Sequence, residues 1–153
     1  MSSARIDLEF SVLMLDLQLL YRKYFNQQMK TAKLTTAQWQ VLSCLTRYEG
    51  ITQTEVADRL NKGKSPVGKT LDALEAAEWV VRKPGTHDRR VKNIYLTGKL
   101  QTIDRQPMEV VSEMNGVAEQ NLDLETVEKL RRGLAVMREN LQKALGEDRT
   151  ASS

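Results

Sequence analysis

Apolar residues recur at steps of three and four near the N-terminus, which is the spacing of an amphipathic helix. The pattern covers residues 6–29 and runs through Ile6, Phe10, Leu13, Leu17, Leu20 and Tyr24. Other apolar residues lie off this stripe, at Leu8, Val12, Leu15 and Leu19. We therefore expect a helix that packs on two sides, against its own domain and against a further partner, for which a second subunit is the economical candidate.

A similar seam lies near the C-terminus, where Asp123 can cap a helix. Its apolar positions are Val127, Leu130, Leu134, Met137, Leu141 and Leu145. A subunit interface and packing on the first helix are both consistent with this seam. The stretch before it, from Lys99 to about Asn121, is helical in composition, but Pro107 and Gly116 predict a bend or an irregular first turn. About six residues at the end of the chain are expected to be disordered.

Helix-start signals divide the middle of the chain. Two pairs of residues have the form of a capping box, Thr35 with Gln38 and Thr52 with Glu55. The turn Asn61-Lys62-Gly63 separates the second of these helices from a third, for which Ser65 is the expected N-cap and Pro66 the expected first residue. A helix, a short turn with glycine and another helix form the helix-turn-helix pattern.

A short hairpin is predicted next. The apolar segment Trp79-Val80-Val81 and the alternating residues Ile94 and Leu96 indicate two strands, joined by a loop from Pro84 to Arg90. Basic side chains cluster in and just after this loop, at His87, Arg89, Arg90 and Lys92. In an arbitrary hairpin they would be a solvated loop with an exposed ion pair. After a helix-turn-helix, however, they lie where a winged DNA-binding domain holds its minor-groove probe.

These elements predict a mainly α fold with a small β-hairpin, as a single unit over residues 1–153. A winged helix-turn-helix module covers 35–97, and helices from both termini, 6–29 and 99–146, flank it. From Arg59 to Lys99 the chain has ten Lys and Arg against four Asp and Glu, a net charge of +6, whereas the whole chain carries +3. The positive charge is thus concentrated on one module, as in a nucleic-acid-binding surface, although a merely solvated face is the alternative.

The residues of the sequence give little support to a catalytic function. His87 is the only histidine and Cys44 the only cysteine, so no zinc-ligand cluster and no hydrolytic triad is expected, and the protein is predicted to be no enzyme and to need no metal or cofactor. Cys44 falls inside the second helix. We interpret it as a small buried hydrophobe rather than a redox sensor, because no adjacent cation or second cysteine would activate its thiolate.

A membrane location is not expected either. The most apolar stretch, residues 12–20, is interrupted by Asp16 and Gln18. It is too short and too polar to cross a bilayer, and the N-terminus lacks a signal-peptide pattern. A cytoplasmic protein is therefore predicted.

The order of the elements, with individual residues in them, resembles the MarR family of transcription regulators, particularly its SlyA-like branch. The resemblance spans nearly the full chain. Its specific parts are Leu34-Thr35, Trp39 and Val41-Leu42 in the second helix, Lys69-Thr70-Leu71-Asp72 and Leu74-Glu75 in the recognition helix, and Asp88-Arg89-Arg90 with Leu96-Thr97 in the hairpin. It implies a sequence-specific DNA-binding regulator, of the repressor type, in the cytoplasm of a bacterium or archaeon and associated with the nucleoid.

In such a regulator the N-terminal half of the recognition helix enters the major groove. Ser65 can donate to a base edge or a phosphate, and Pro66 can touch a thymine methyl. Gly68 permits close approach, and Lys69, like the neighbouring Lys64, can reach guanine acceptors or phosphate. The alternative for Ser65 and Pro66 is that they only begin the helix.

The resemblance also assigns roles in the hairpin. It implies that Arg90 enters the minor groove, while Asp88 pairs with its guanidinium and holds it in place. Arginine suits this task because a carboxylate can orient its planar fork and because narrow, A·T-rich grooves attract it. Arg89, His87 and Lys92 are expected to contact phosphates, which gives an affinity that falls with salt.

MarR-like proteins act as homodimers with interleaved first, fifth and sixth helices, so that two recognition helices reach half-sites of pseudo-palindromic double-stranded DNA. Residues 8–20 and 127–145 would supply this interface. In the family a small effector, often aromatic or phenolic and anionic, binds between the dimer helices and the winged module and releases the DNA. Leu17, Tyr21 and Trp39 are the candidates for that pocket, although each is also explained as ordinary core.

The junction after the recognition helix differs from the family pattern. Glu78 stands where a glycine commonly follows the recognition helix, and a left-handed cap would cost it ~1 kcal/mol or more, so the junction is expected to differ. The sequence leaves two alternative functions. One is a winged-helix protein that coats or compacts DNA without an effector. The other is a small hydrolase or transferase built on His87, Asp88 and Arg90, for which no orienting pocket is evident.

Overall fold

The computed structural model describes residues 3–146, with side chains described from residue 8 onward. Within these residues the elements are α1 (Ser3–Gln28), α2 (Thr36–Arg47), β1 (Ile51–Thr52), α3 (Gln53–Leu60), α4 (Lys64–Ala76), β2 (Val80–Pro84), β3 (Lys92–Leu96), a 3-10 helix (Gly98–Thr102), α5 (Pro107–Ala118) and α6 (Leu124–Ala144). The mainly α fold with a small β-hairpin is confirmed. The predicted terminal disorder and the side chain of Ile6 lie outside the described residues.

Side-chain caps begin three of the helices where the sequence predicted them. Thr35 and Thr52 both form complete capping boxes at the starts of α2 and α3. Asp123 accepts a hydrogen bond from the backbone N–H of Thr126 at 2.7 Å and so begins α6. Each cap binds backbone N–H groups that have no partner within the helix.

Pro107 is the first residue of α5 and does not bend it. Proline is favoured there because its ring is compatible with a helix start and the missing N–H has no intrahelical acceptor. The predicted irregularity lies just before it, where the 3-10 helix ends and a non-helical connection follows.

The three strands form one antiparallel sheet in the order β1-β3-β2. The predicted hairpin is β2 and β3, whose register runs from Val80 opposite Leu96 to Pro84 opposite Lys92. The pairing of β1 with β3, with Ile51 opposite Ile94, was not predicted. A strand of two residues has no periodicity that a sequence pattern could reveal.

The hydrophobic core lies among α2, α3, α4 and the sheet. Its buried side chains also come from the end of α1 and from α5, and the set is Phe25, Met29, Leu34, Val41, Leu42, Leu45, Val56, Ala57, Val67, Leu71, Leu74, Trp79, Val80, Ile94 and Val110. Burial of each large aliphatic side chain contributes about 1.5–3 kcal/mol. This packing fixes the recognition helix α4 and the hairpin to the same core. Ile94 is fully buried and Leu96 packs on the cluster, so both residues fix the hairpin to the core.

The junction between α4 and β2 keeps a left-handed residue, contrary to the prediction. Glu78 has φ +62°. The N–H of Trp79 donates to the carbonyl of Leu74 at 2.8 Å, and the N–H of Glu78 donates to that of Glu75 at 3.0 Å. These two bonds, with Leu74 and Trp79 both buried, make the Schellman motif that commonly ends a helix. The hydrogen bonds and the apolar contact outweigh the preference of glutamate for other conformations.

The chain divides into two compact units, one up to Met114 and the other from Asn115 onward. In the first unit, α1 exposes a row of large apolar side chains, Leu8, Phe10, Val12, Leu13, Met14, Leu15, Leu17, Leu19 and Leu20. In the second unit, α6 exposes Leu124, Leu130, Leu134, Val136, Met137 and Leu141. Apolar faces of this size on a single chain are typical of interaction surfaces.

Candidate nucleic-acid interface

The turn between α3 and α4 places the start of the recognition helix at the surface. Asn61 ends α3 in the left-handed region, with φ +53°, and its N–H donates to the last carbonyls of the helix. Asparagine tolerates this region better than other residues with side chains. Two residues later Gly63 caps α4, so the turn is short and both helices are fixed on the common core.

The predicted N-cap of α4 is wrong. Gly63, not Ser65, is the N-cap, and no side-chain hydrogen bond caps this helix, so Ser65 is the second helical residue and Pro66 the third. Proline is compatible with the third position because the first four N–H groups of a helix have no intrahelical acceptor. The hydroxyl of Ser65 is therefore not used for capping, and Lys64, Ser65 and Pro66 are all exposed.

Lys69 is exposed one turn beyond Ser65, on the same side of the helix. Gly68, in contrast, is half-buried, and a Cβ atom there would lie 2.7 Å from Nε2 of Gln53. The space that this glycine leaves open is thus occupied by a side chain of α3. We therefore interpret Gly68 as a packing residue of the helix-turn-helix, which the sequence had suggested as a point of close approach to DNA.

The loop of the hairpin, which we call the wing, covers residues 85–91. It is closed by a hydrogen bond from the N–H of Gly85 to the carbonyl of Val91 at 2.7 Å, and by a second from the N–H of Val91 to the carbonyl of Asp88 at 3.2 Å. A Cβ atom on Gly85 would lie 2.7 Å from the carbonyl oxygen of Asp88. Glycine is required at this position because the loop folds directly over it.

Asp88 holds the wing in a way that differs from the prediction. Its Oδ1 accepts a hydrogen bond from the backbone N–H of Arg90 at 2.9 Å. Among the residues that the structure describes, no ion pair joins the carboxylate of Asp88 to the guanidinium of Arg90. A carboxylate two residues before an N–H readily forms such a turn. Asp88 thus orders the backbone of the wing and leaves the side chain of Arg90 exposed.

The remaining basic residues of the hairpin are exposed as well: His87, Arg89 and Lys92. Together with Arg90 they line the wing and the first residue of β3. The first turn of α4 carries Lys64, and Lys69 follows it. The module therefore presents two cationic segments, each at the edge of an element that the core holds in place.

Sequence reasoning missed Arg82, in β2. Its guanidinium forms ion pairs with Asp72 at 2.8 Å and Glu75 at 2.5 Å, both on α4, and Nη2 lies 3.4 Å from Oε1 of Gln53. Partial burial opposes the charge of Arg82, but the hydrogen bonds from its side chain to Glu75 and Asp72 raise its pKa above the ordinary value. The hydrogen bond from the Arg82 side chain is also the main reason why the pKa of Glu75 is lowered. Asp72 and Glu75, three residues apart on one face of α4, were the feature of the sequence that could have indicated a basic partner for this helix.

The candidate effector residues have different surroundings. Leu17 is exposed over 48% of its surface. Tyr21 is half-buried. Trp39 packs on the core, and its ring lies 6.4 Å from that of Phe25 in a stacked arrangement. Cys44 is buried in α2, as predicted.

Between residues 3 and 146, no group of three or more His, Cys, Asp or Glu side chains is arranged to hold a metal ion. In the same part of the chain, no helix combines the length and apolar character needed to span a membrane.

The winged module and the whole fold both have counterparts among known proteins. Residues 34–92 match the model of the MarR family. The HTH-type transcriptional regulator YwoH of Bacillus subtilis is 37% identical over 78 residues, which make up 51% of this chain and 56% of that protein. The chain covers about half the length of the curated relatives that it matches.

Two solved structures share the fold. The transcriptional regulator SlyA superposes with a TM-score of 0.75 at 24% identity, over 90% of this chain and 96% of its own. MepR of S. aureus, in complex with DNA, superposes with a TM-score of 0.78 at 23% identity, over 86% and 97% of the two chains. The predicted resemblance is confirmed for residues 34–92, which match the MarR family model, and the fold of the chain is that of the solved MarR-like structures.

Proposed function

We propose that this protein binds specific double-stranded DNA as a homodimer and represses transcription until a small effector releases it. The observation that carries the proposal is the pair of exposed cationic segments, at the start of α4 and in the wing, on one winged helix-turn-helix frame. A helix start of this kind fits the major groove, and a cationic wing fits the adjacent minor groove. MepR, which has the same fold, was solved in complex with DNA.

Each cationic segment has a separate task in this proposal. Ser65 and Pro66 meet base edges, while Lys64 and Lys69 meet guanine acceptors or phosphates. Arg90 is the minor-groove probe, and His87, Arg89 and Lys92 contact phosphates. Asp88 contributes by ordering the backbone that carries Arg90.

The dimer is proposed from the apolar faces of α1 and α6, which need a partner to be covered. A second copy of the chain would supply an identical pair of helices, and two-fold symmetry would match a pseudo-palindromic operator. As a regulator of transcription, the protein would act in the cytoplasm of a bacterial or archaeal cell, on the nucleoid.

An effector of aromatic or phenolic, anionic character is the further part of the proposal. Leu17, Tyr21 and Trp39 are its candidate contacts, since they combine an exposed aliphatic side chain with two half-buried rings. Release of DNA would follow if the effector binds better to a dimer whose recognition helices have the wrong separation for the operator.

Selection of DNA fragments by the purified protein tests this function, and the variant Arg90→Ala tests the site. We expect a recovered palindrome, and we expect Arg90→Ala to abolish specific binding in a gel-shift titration while thermal unfolding stays unchanged. Arg22→Ala, the same change at an exposed position of α1, is the matched control and should bind normally. Near-native affinity of Arg90→Ala would contradict the role of the wing. Salt-dependent binding without any preferred sequence would instead indicate a protein that coats or compacts DNA.

A further inference from the structure

We propose that Arg82 is a positioning residue for DNA recognition. Through Asp72, Glu75 and Gln53 it fixes the recognition helix to the strand that leads into the wing, and it masks two carboxylates that would otherwise face DNA. The inference rests on the proposed DNA-binding function and adds a residue that does not itself belong to the cationic segments. Arg82 is only 15% exposed, so it is a poor candidate for direct contact with DNA.

The contacts of Arg82 use the geometry of a guanidinium. Nη1 donates to Oε2 of Glu75 at 2.5 Å, and Nη2 donates to Oδ1 of Asp72 at 2.8 Å. The backbone N–H of Arg82 donates to the other oxygen of Glu75 at 3.1 Å. Two nitrogen atoms in a rigid plane thus engage two turns of one helix face. A lysine ammonium, a point charge on a flexible chain, cannot reproduce this arrangement.

Gln53 extends the network to the start of α4. Its Oε1 lies 3.4 Å from Nη2 of Arg82, and its Nε2 donates to the carbonyl of Lys64 at 3.3 Å. Gly68 leaves the space that this amide occupies. A continuous series of polar contacts therefore runs from Arg82 in β2, three residues before the wing begins, to the turn of α4 that is proposed to enter the major groove.

Arg82 also neutralises two carboxylates that are exposed on the recognition helix. The side chain of Asp72 is 71% exposed and that of Glu75 39% exposed, so both carboxylates lie on the accessible side of the recognition helix. Phosphates would repel them at close approach. Ion pairs whose carboxylates are this exposed contribute little to folding stability. We therefore expect the network to affect how tightly and how selectively DNA is bound more than whether the chain folds.

Three variants separate positioning from charge. Arg82→Lys keeps the positive charge but removes the planar guanidinium, and Asp72→Asn removes one exposed carboxylate partner. Lys83→Gln removes a neighbouring charge of β2; the ammonium of Lys83 lies over the ring of Tyr95. Affinity for the selected DNA fragment and for random DNA is measured over a range of salt concentrations, with thermal unfolding alongside. Hydroxyl-radical footprints report whether the wing still protects the minor groove.

We expect Arg82→Lys to bind the selected fragment about tenfold more weakly or worse, to lose the minor-groove protection and to keep its affinity for random DNA within about threefold. Asp72→Asn should also lower the ratio of the affinity for the selected fragment to the affinity for random DNA. Lys83→Gln should weaken both affinities alike and leave the ratio unchanged.

Wild-type affinity ratios and footprints in both Arg82→Lys and Asp72→Asn would overturn the inference while leaving the proposed function intact. If Arg82→Lys unfolds, the exposed Asp72→Asn substitution decides alone, and an unchanged ratio in that variant overturns the inference. If the wild-type protein selects no DNA sequence, this result contradicts the proposed function. It then also contradicts the positioning role of Arg82, which depends on that function.

Discussion

Glu78 occupies a backbone conformation that suits glycine better than any residue with a side chain. Its φ of +62° brings Cβ close to the following carbonyl. The residue also places a negative charge at the C-terminal end of α4, where the helix dipole is unfavourable for it. The conformation persists because the Schellman hydrogen bonds and the hydroxyl of Thr97, which donates to the carbonyl of Glu78 at 2.6 Å, hold the backbone.

Replacement Glu78→Gly should therefore stabilise the protein by about 0.5–1 kcal/mol, since the relief of strain exceeds the added entropy of the unfolded chain. A urea titration would show a higher midpoint with an unchanged slope. Ala77→Gly is the matched control, because Ala77 has an ordinary φ of −89° and glycine should lower the midpoint there. A lower midpoint for Glu78→Gly would mean that the glutamate side chain has a stabilising contact that outweighs the strain.

At the scale of elements, the recognition helix and β2 are joined by charge as well as by the apolar core. The hydrogen bond from the side chain of Arg82 is the largest cause of the lowered pKa of Glu75, and Lys92 adds a weaker attraction. A carboxyl group whose pKa is lower in the folded than in the unfolded chain stabilises the fold above its unfolded pKa. That contribution disappears as the pH falls through the folded pKa.

Glu75→Gln should accordingly lower the unfolding free energy at neutral pH only slightly, because the carboxylate is partly exposed, and the difference from wild type should vanish on acidification. The ordinary pKa of glutamate is 4.5, so the two curves should converge as the pH is lowered from about 5 through the folded pKa. Urea titrations at several pH values measure both curves. Glu55 and Asp123, whose pKa values are also lowered, are present in both proteins and cancel in the comparison. A difference that stays constant down to the lowest pH would show that the charge of Glu75 is not the stabilising feature.

The elements that the sequence predicted well depend on neighbours along the chain. The capping boxes at Thr35 and Thr52 were predictable because all their atoms come from residues three apart. β1 was missed because its pairing joins Ile51 to Ile94, and Arg82 was missed because its partners lie seven and ten residues away on another element. The cap of α4 was placed wrongly because serine before proline fits a helix start at more than one position. Exposure of the cationic side chains was predictable, whereas the contact of Asp88 with a backbone N–H depended on the fold of the wing.

At the scale of the whole molecule, the dominant feature is the amount of apolar surface on α1 and α6. These faces carry large aliphatic side chains at helical spacing. Such surface in water favours association, and two identical faces favour a closed dimer. The function proposed for the winged module depends on this association, because one module alone reads only half of a palindromic site.

A charge placed in the α6 face should dissociate the proposed dimer. Leu134, exposed over 43% of its surface in the single chain, is a suitable position, and Leu134→Glu should weaken dimerisation roughly a hundredfold because the carboxylate would be buried without a partner. Sedimentation velocity at several concentrations measures the shift to monomer. Arg132→Glu adds a carboxylate on the opposite side of the same helix and should leave the dimer intact. Equal dimerisation of Leu134→Glu and wild type would exclude this face from the interface.

The buried position of Cys44 has a practical consequence. It is the single sulfhydryl of the chain and lies within α2, 6% exposed. A thiol-specific reagent can reach it only when α2 separates from the core, so the rate of its modification measures how often the winged module opens. Any molecule that binds the closed module would slow the reaction in proportion to its occupancy. The native chain thus carries its own reporter, with which effectors could be screened against the purified protein without a tag or an operator.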